Sequence, residues 1–258
     1  MTKAILSSYI KKNTFIHKLN PLTKLIFLVA VIITVFAVKS FIYNLIIVLA
    51  IIPLAYSAKL LSKVFKPLRY LFIIFIVLYG IQSFLYPEKE TILIDFGYGI
   101  AIWEEGVLFA TIISLRLLAM IVHGYFFVLV THPGDLVCSL RKIKFPYKFG
   151  YIVLSTLQVI PRVASQMETI IDAQKSRGLE TKGSIANRLK AYSPLLGPLF
   201  LGSVQNVVER TIALESRAFS YETEKTSYRE TYVRKKDKII MASIVVFFTL
   251  YGVISWIL

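Results

Sequence analysis

The chain has 258 residues, 56% of them hydrophobic and 17% charged, a balance that excludes an ordinary soluble domain and predicts an integral membrane protein. Its net charge of +15 would suggest nucleic-acid binding in a soluble protein. Inner loops of membrane proteins collect Lys and Arg, however, so no nucleic-acid partner is expected. One cysteine, Cys138, and three scattered histidines predict neither a disulfide nor a metal site, and no cofactor is expected.

Four hydrophobic segments in residues 1–148 are long enough to cross a bilayer as helices. The predicted spans are 25–38, 41–57, 70–86 and 106–130. The first two are separated at Lys39-Ser40, because one helix over both would rise about 48 Å, more than a tilted span needs. Residues 1–148 therefore form a predicted N-terminal membrane domain.

The charges between the spans alternate in sign. Lys59–Arg69 is basic and amphipathic, and it is either an ordinary inner loop or a helix on the membrane surface. Pro87–Glu105 carries five acidic residues and one lysine, and it is predicted to be an outer loop. A further basic patch at 141–148 follows the helix-breaking sequence Thr131-His132-Pro133-Gly134-Asp135.

The rest of the chain divides into a mixed region and one clean span. Residues 149–238 are predicted to form a cytosolic helical region, and 239–258 a C-terminal transmembrane helix, the fifth span. Phe149–Ile160 is apolar but too short to span alone, so its place in or out of the membrane stays open. With the N-terminus inside, 27 of the 30 Lys and Arg residues fall on the cytoplasmic side, which favours this orientation over its inverse.

Two long amphipathic helices are predicted within 149–238, and together with the five spans they predict an all-α membrane protein. Pro161 suits the first turn of the first helix, and Gly178 suits a left-handed cap at its end. The second helix is expected to start near Pro198. Their apolar faces, expected to pack on each other and on the membrane domain, comprise Val163, Met167, Ile170 and Ile171 in the first helix and Val204, Val207, Val208 and Ile212 in the second.

Each of these helices ends on a similar three-residue tag. The first tag is Ser176-Arg177-Gly178, and the second tag, 40 residues later, is Ser216-Arg217-Ala218. A single arginine in the last turn of a helix is ordinary capping, because a cation complements the partial negative charge there. Two such arginines, each after Ser and before a small residue, favour docking instead, since the planar guanidinium can bond two acceptor oxygens of a partner at once.

At this point the chain resembles a known family. The tags are similar to the two Ala-Arg-Gly-like motifs that end the coupling helices of the transmembrane (T) component of energy-coupling factor (ECF) transporters, the EcfT/CbiQ family. Further similar stretches are His17-Lys18-Leu19-Asn20-Pro21-Leu22-Thr23-Lys24, Ser114-Leu115-Arg116-Leu117-Leu118 and Thr131-His132-Pro133-Gly134-Asp135-Leu136. The resemblance covers nearly the whole chain. Ser stands for Ala in both tags, Ala218 for Gly, and Asn20 for an Asp.

The resemblance implies a non-catalytic scaffold in a bacterial or archaeal cell membrane. Two ABC-type ATPase subunits would receive Arg177 and Arg217, and a small membrane-embedded substrate-binding (S) subunit would lie against the coupling helices. ATP-driven movement of those helices would then release a vitamin or metal ion inside the cell. The sequence has no G-x-x-x-x-G-K-[ST] motif, so this chain is not expected to be its own ATPase.

The intramembrane charge of Arg116 leaves two roles open. It lies about 15 Å into its predicted span, where a charge marks either a functional site or a tie between spans through backbone carbonyls. An intramembrane enzyme would need clustered acidic or histidine side chains, and a channel or secondary transporter would favour polar, broken spans. Either class would act without ATPase partners and would leave the paired tags without a purpose.

Overall fold

The computed structural model describes residues 9–38, 40–86, 91–95, 101–143, 145–178, 185–221 and 235–257. Within those ranges the chain forms ten helices and two short strands. They are α1 (Phe15–Lys18), α2 (Pro21–Ala37), α3 (Phe41–Ser57), α4 (Leu61–Val64), α5 (Leu68–Leu85), β1 (Ile92–Asp95), β2 (Ala101–Trp103), α6 (Glu104–Val130), α7 (Pro133–Arg141), α8 (Tyr147–Ser176), α9 (Ile185–Glu215) and α10 (Lys235–Ile257). The all-α fold class is thereby confirmed, with one small hairpin added.

The apolar helices lie where the spans were predicted. α2, α3, α5, α6 and α10 correspond to the five predicted segments within a few residues at each end. Two helical stretches of the described chain, Leu61–Phe84 and Glu104–Val130, are long and apolar enough to cross a membrane, and α2 and α3 are shorter apolar helices. Local signals set these boundaries: Asn20 caps α2 with Pro21 in its first turn, and Glu104 begins α6 where an acidic residue complements the helix dipole.

The predicted outer loop contains β structure, which is a correction. β1 and β2 pair antiparallel, with Ile94 opposite Ile102 and Asp95 opposite Ala101. The β-branched residues in Ile92–Asp95 favour an extended strand. The loop prediction was based on the charged residues of the segment and missed this preference. The Thr91 N–H and hydroxyl both donate to the Glu105 carboxylate, and this ties the hairpin to the start of α6. Glu88, Lys89 and Glu90 of the predicted loop lie outside the described residues.

Tyr9–Leu140 and Thr231–Leu258 make up one compact unit, the membrane unit. α6 packs against α2, α3 and α5, and α10 packs along α2. Val31, Val35 and Ala119 are buried in its core, where the rings of Tyr43 and Tyr251 stack at 4.4 Å. This packing brings α10 back onto α2, so helices far apart in the sequence build the same core.

The other unit contains Arg141–Glu230 and is built on α8 and α9. The two helices run antiparallel: Phe219, just after α9, packs on Tyr151 near the start of α8 with ring centroids 4.8 Å apart. Further along, Arg210 donates to Ser155, and a side chain at Gly202 would collide with the Gln166 amide. We call this pair the helical hairpin.

Both hairpin helices start earlier than the sequence predicted. α8 begins at Tyr147 and carries Pro161 in its interior, and α9 begins at Ile185 and contains both Pro194 and Pro198. An interior proline removes only one hydrogen bond of the helical ladder, so packing between long helices can outweigh its cost of about 3 kcal/mol. The apolar segment Phe149–Ile160 is therefore the first half of α8 rather than a separate element.

Candidate functional site

The first tag closes α8 with a left-handed turn. Gly178 has φ +88°, and its N–H donates to the Lys175 carbonyl at 3.0 Å. The Arg177 N–H donates to the Gln174 carbonyl at 3.0 Å, and its side chain is exposed. The predicted left-handed cap at Gly178 is confirmed.

The second tag closes α9 in the same way, without a glycine. Ala218 has φ +55°, and its N–H donates to the Glu215 carbonyl at 2.9 Å. The Phe219 N–H donates to the Leu214 carbonyl at 3.1 Å, which completes the pair of bonds of a Schellman motif. The chain thus reverses immediately after Arg217, and that arginine stands at the exposed tip of the helix.

The serine hydroxyls of the two tags are occupied by their own helices. Ser176 donates to the Asp172 carbonyl and Ser216 to the Ala213 carbonyl, each at 3.1 Å. A hydroxyl that donates to its own helix has no donor left for a partner and can only accept a hydrogen bond. The replacement of Ala by Ser in both tags therefore leaves the arginines as the distinctive groups.

The antiparallel arrangement puts the two arginines at opposite ends of the helical hairpin. Phe219, two residues after Arg217, packs on Tyr151, so Arg217 lies beside the start of α8. Arg177 lies 26 residues after Tyr151, at the other end of α8. At about 1.5 Å per residue this separates the tags by about 40 Å. Neither guanidinium has a hydrogen-bond or ion-pair partner among the described residues. The geometry allows each arginine to reach a different partner molecule.

The predicted apolar faces do not simply pack on each other. Val163 and Val207 line one groove of about 280 Å³ between α8 and α9, but polar side chains supply most of the α9 wall, among them Asn206 and Arg210. At 100° per residue the opposite side of α9 carries an apolar stripe, 45–69% exposed, which we call the α9 stripe. It consists of Leu201, Val204, Val208 and Ile212. On α8, the side chains of Met167, Ile170 and Ile171 are half-buried.

Two arginines that the sequence analysis did not identify line this groove. Arg210 of α9 donates to the Ser155 hydroxyl of α8, and Arg162 lines the same groove. A serine paired with an arginine 55 residues away has no sequence signature, so only the fold could reveal this contact. The bond fixes the rotation of α9 about its own axis, and with it the outward direction of the α9 stripe.

Arg116 is tied to a helix end within the membrane unit. Its Nη2 donates to the Val38 carbonyl at 3.1 Å, and Val38 is the C-terminal cap of α2. Carbonyls at a helix C-terminus lack helical partners and carry partial negative charge, so a guanidinium is well placed there. This contact supports a structural role for Arg116, a tie between spans through a backbone carbonyl, over a functional one.

A polar cluster at the other end of α2 was not predicted. The Asn20 side chain accepts from the Leu22 N–H at 2.9 Å, and the Asn20 N–H donates to the carboxylate of Asp237, which is 3% exposed. Lys24 donates to the Val130 carbonyl at the end of α6, at 3.0 Å. α10 therefore contributes a buried carboxylate next to Asn20, at the start of α2. In the sequence, Asp237 stands among lysines and looks like part of a basic flank.

His17 is held between two oxygens just before α2. Its Nε2 donates to the Ile10 carbonyl at 2.9 Å, which leaves Nδ1 to accept from the Thr14 hydroxyl at 2.7 Å. Burial lowers the pKa of the ring below its usual value, partly offset by the Ile10 carbonyl, and the charges of Lys24 and Lys12 lower it further. Through these two hydrogen bonds the neutral ring holds the segment before α1 close to the start of α2.

Comparison with known proteins gives matches over most of the chain. A family model described as CbiQ, cobalt transport protein, matches residues 12–228. The chain is 31% identical to the energy-coupling factor transporter transmembrane protein EcfT of Staphylococcus aureus, with 94% of each chain covered. It is 28% identical to the EcfT of Listeria innocua, over 100% of this chain and 99% of the relative. It is also 27% identical, over 96% of its length, to one third of a putative ABC transporter ATP-binding protein of Bifidobacterium longum.

Proposed function

Because this chain belongs to the EcfT/CbiQ family of transporter components, which are not enzymes, we propose that it couples two ABC-type ATPases to a membrane-embedded S subunit of an ATP-driven micronutrient importer. In this proposal Arg177 and Arg217 dock the ATPases, one each. The region 149–238 and the N-terminus are cytoplasmic, and five helices span the membrane. ATPase movement reaches the S subunit through α8 and α9.

The observation that carries the proposal is the placement of the two arginines. Each stands at the exposed tip of a long helix, the two tips are about 40 Å apart along the helical hairpin, and neither side chain has a partner among the described residues. One small partner could not engage both tips, whereas a pair of ATPase subunits could take one each. A forked cation at a rigid helix end suits an acidic groove or a cluster of carbonyls.

The α9 stripe supports the S-subunit part of the proposal. Four large aliphatic side chains lie exposed in a row along one side of α9, on the side away from α8. Contiguous exposed apolar surface of this kind marks an interaction site. The S subunit is proposed to cover it, so movement of α9 would be transmitted directly to that subunit.

Copurification tests the proposal. The tagged chain is expressed in its own host and purified in mild detergent, and the accompanying proteins are identified by mass spectrometry. We expect ATPases in a 2:1 ratio to the chain, with a small hydrophobic membrane protein. The double variant Arg177→Glu, Arg217→Glu should lose the ATPases while the chain stays inserted in the membrane.

The matched control is Arg162→Glu, which reverses the charge of an exposed arginine in the middle of α8, far from either helix end. This variant should retain the ATPases. Wild-type ATPase levels with the double variant would overturn the docking roles. A well-folded chain that brings no ATPase at all would instead support a channel or a secondary transporter that acts without ATPase partners.

A further inference from the structure

The segment between α3 and α5 carries a row of cations that the proposed coupling role does not use. They stand three or four positions apart, and we call them the basic row: Lys59, Lys63, Lys66 and Arg69. All four side chains are exposed. In the part of the chain that the structure describes, none of their charged groups has a hydrogen-bond or ion-pair partner. The row is therefore free to bind a ligand from outside the chain.

The apolar residues of the same segment pack into the membrane unit. Leu60 and Val64 are 1% and 0% exposed, and they belong to a core built mainly from α3 and α6. An amphipathic helix on a membrane surface would instead bury such residues among the acyl chains of the lipid. Protein packing thus holds the segment in place, and the basic row remains on the outside.

Local hydrogen bonds fix the backbone of the basic row. Lys59 has φ +57°, and its N–H donates to the Tyr56 carbonyl at 2.9 Å. The Lys12 ammonium donates to the Lys59 carbonyl at 2.7 Å and adds a fifth cation beside the row. The Lys66 N–H donates to the Lys63 carbonyl at 3.2 Å. Because the backbone is already ordered, little conformational entropy is lost when the row binds a ligand.

The helices around the basic row offer it no carboxylate. No Asp or Glu stands in the sequence before Glu88, so α1 to α5 contain none. α6 also packs on α4, but its acidic residues, Glu104 and Glu105, stand at its start, whereas its core contacts with α4 come from residues 122–130. Several cations without a carboxylate repel one another, so an external anion that approaches them is attracted by all of them.

Two exposed tyrosines indicate that this anion is a lipid headgroup. Tyr56 precedes the row near the end of α3, Tyr70 follows it near the start of α5, and they are 76% and 77% exposed. Tyrosine is enriched at the boundary between lipid and water, because its ring is apolar and its hydroxyl is polar. The phosphates of phospholipids lie at the same depth. An acidic surface of a soluble protein would not require these two aromatic side chains.

We propose that the basic row binds anionic phospholipids through the phosphodiester of a headgroup such as phosphatidylglycerol. The lysine ammonium groups and the Arg69 guanidinium donate to the phosphate oxygens. A zwitterionic headgroup carries its own cation, which the row repels, so phosphatidylcholine binds less tightly. In the proposed topology the bound lipids belong to the cytoplasmic leaflet. The site is otherwise independent of the proposed coupling role.

Quenching of tryptophan fluorescence by brominated lipids measures which headgroup lies beside the row. The reporter chain carries Tyr70→Trp with Trp103→Phe and Trp256→Phe, which remove both native tryptophans. It is reconstituted in mixtures of phosphatidylcholine and phosphatidylglycerol in which one lipid has brominated acyl chains. We expect at least a fivefold preference for phosphatidylglycerol. The preference should fall toward unity at about 1 M salt, where the Debye length is about 3 Å.

Charge removal within the row tests the same preference. In the reporter chain, Lys63→Gln with Lys66→Gln should reduce it to less than twofold, because each cation near an anionic headgroup contributes about fivefold. Lys235→Gln with Lys236→Gln is the matched control, because it removes the same charge from the start of α10 and should leave the preference unchanged. All four lysines are exposed, so neither pair of substitutions removes core packing.

Four results would each overturn the proposal. They are a reporter without a preference for phosphatidylglycerol, a preference that survives high salt or the Lys63→Gln, Lys66→Gln change, an equal loss in the α10 control, and displacement by free glycerol 3-phosphate, which would indicate a site for a soluble phosphate. Loss of the ATPases from the Lys63→Gln, Lys66→Gln chain in copurification would also overturn it, by assigning the row to a protein partner. ATPase docking is measured separately with the Arg177 and Arg217 variants, so either proposal can fail alone.

Discussion

Ala218 adopts at the end of α9 the left-handed backbone conformation that Gly178 adopts at the end of α8, with φ +55° and +88° respectively. The two tags therefore make the same turn from different residues. A glycine has no Cβ to clash in this region, whereas an L-residue pays roughly 1–2 kcal/mol for it. The second tag is therefore a strained copy of the first, and it is retained because the Schellman bonds at Leu214 and Glu215 fix the turn.

Ala218→Gly should strengthen the end of α9. We expect the local free energy of opening to rise by about 1 kcal/mol, because the strain at positive φ is removed. Amide hydrogen exchange of residues 214–219 measures it. Ala213→Gly, at an exposed position within α9, is the matched control and should lower the local free energy of opening by about 1 kcal/mol. Faster exchange in Ala218→Gly would show that the turn is not strained.

Single charge reversals should each release one ATPase. Since the tags are about 40 Å apart, Arg177→Glu is expected to leave the ATPase at Arg217 in place, and the ratio of ATPase to chain should fall from two to one. Loss of a buried fork costs about 2–5 kcal/mol, so affinity at the altered tip should fall at least about 30-fold. Native mass spectrometry of the complex counts the subunits.

Two milder kinds of substitution test whether docking depends on the planar guanidinium or on the serine beside it. Arg177→Lys and Arg217→Lys keep the charge but lose the planar fork, so they should weaken docking less than the Glu variants do. Ser176→Ala and Ser216→Ala should have little effect, because both hydroxyls already donate to their own helices and cannot donate to a partner. Loss of both ATPases from either single Glu variant would show that the two tips do not act separately.

Arg116→Met should destabilise the membrane unit. The Val38 carbonyl would lose its hydrogen bond at the end of α2, at a cost of about 1–3 kcal/mol. A thermal melt in detergent measures the loss, and Arg116→Lys, which keeps a donor and the charge, should recover part of it. ATPase retention should stay at the wild-type level. Wild-type stability combined with lost transport would instead assign Arg116 a functional role.

Stability should fall with acidification through His17. Its folded-state pKa lies below the unfolded value of 6.5, so the unfolded chain takes up the proton first as the pH falls. The loss begins near that unfolded pKa and is complete below the lowered folded one. Thermal melts at a series of pH values measure it. His17→Gln should flatten this part of the profile, while an unchanged slope would show that other groups cause it.

Periodicity and length predicted the five apolar helices and the ends of α8 and α9, but not where α8 and α9 begin or which helix faces meet. The five apolar helices and the left-handed cap at Gly178 follow from local signals that act within a few residues. The direction of the α9 stripe does not, because a valine at helical spacing looks the same whether it faces another helix or an outside surface. The α9 face toward α8 is set by Arg210 and Ser155, which are distant in sequence.

The same limit explains what was missed at the candidate site and at α2. Ser176 and Ser216 were visible as departures, but their bonds to the helix backbone show why these departures matter little. Asp237 was hidden because a buried carboxylate at a helix start, contributed by another helix, has no signature in a run of charged residues. Pairings over long sequence distances decide such details.

The close approach of Gly202 to Gln166 gives the helical hairpin a fulcrum. From that contact one lever arm runs 11 residues along α8 to Arg177, and the other runs 15 residues along α9 to Arg217. These arms are about 16 Å and about 22 Å long, so a rotation of about 10° between the helices would move the two tips by about 3 Å and about 4 Å. If the proposed ATPases press equally on the two tips, arms of similar length would turn α8 and α9 about this contact like the blades of a pair of scissors.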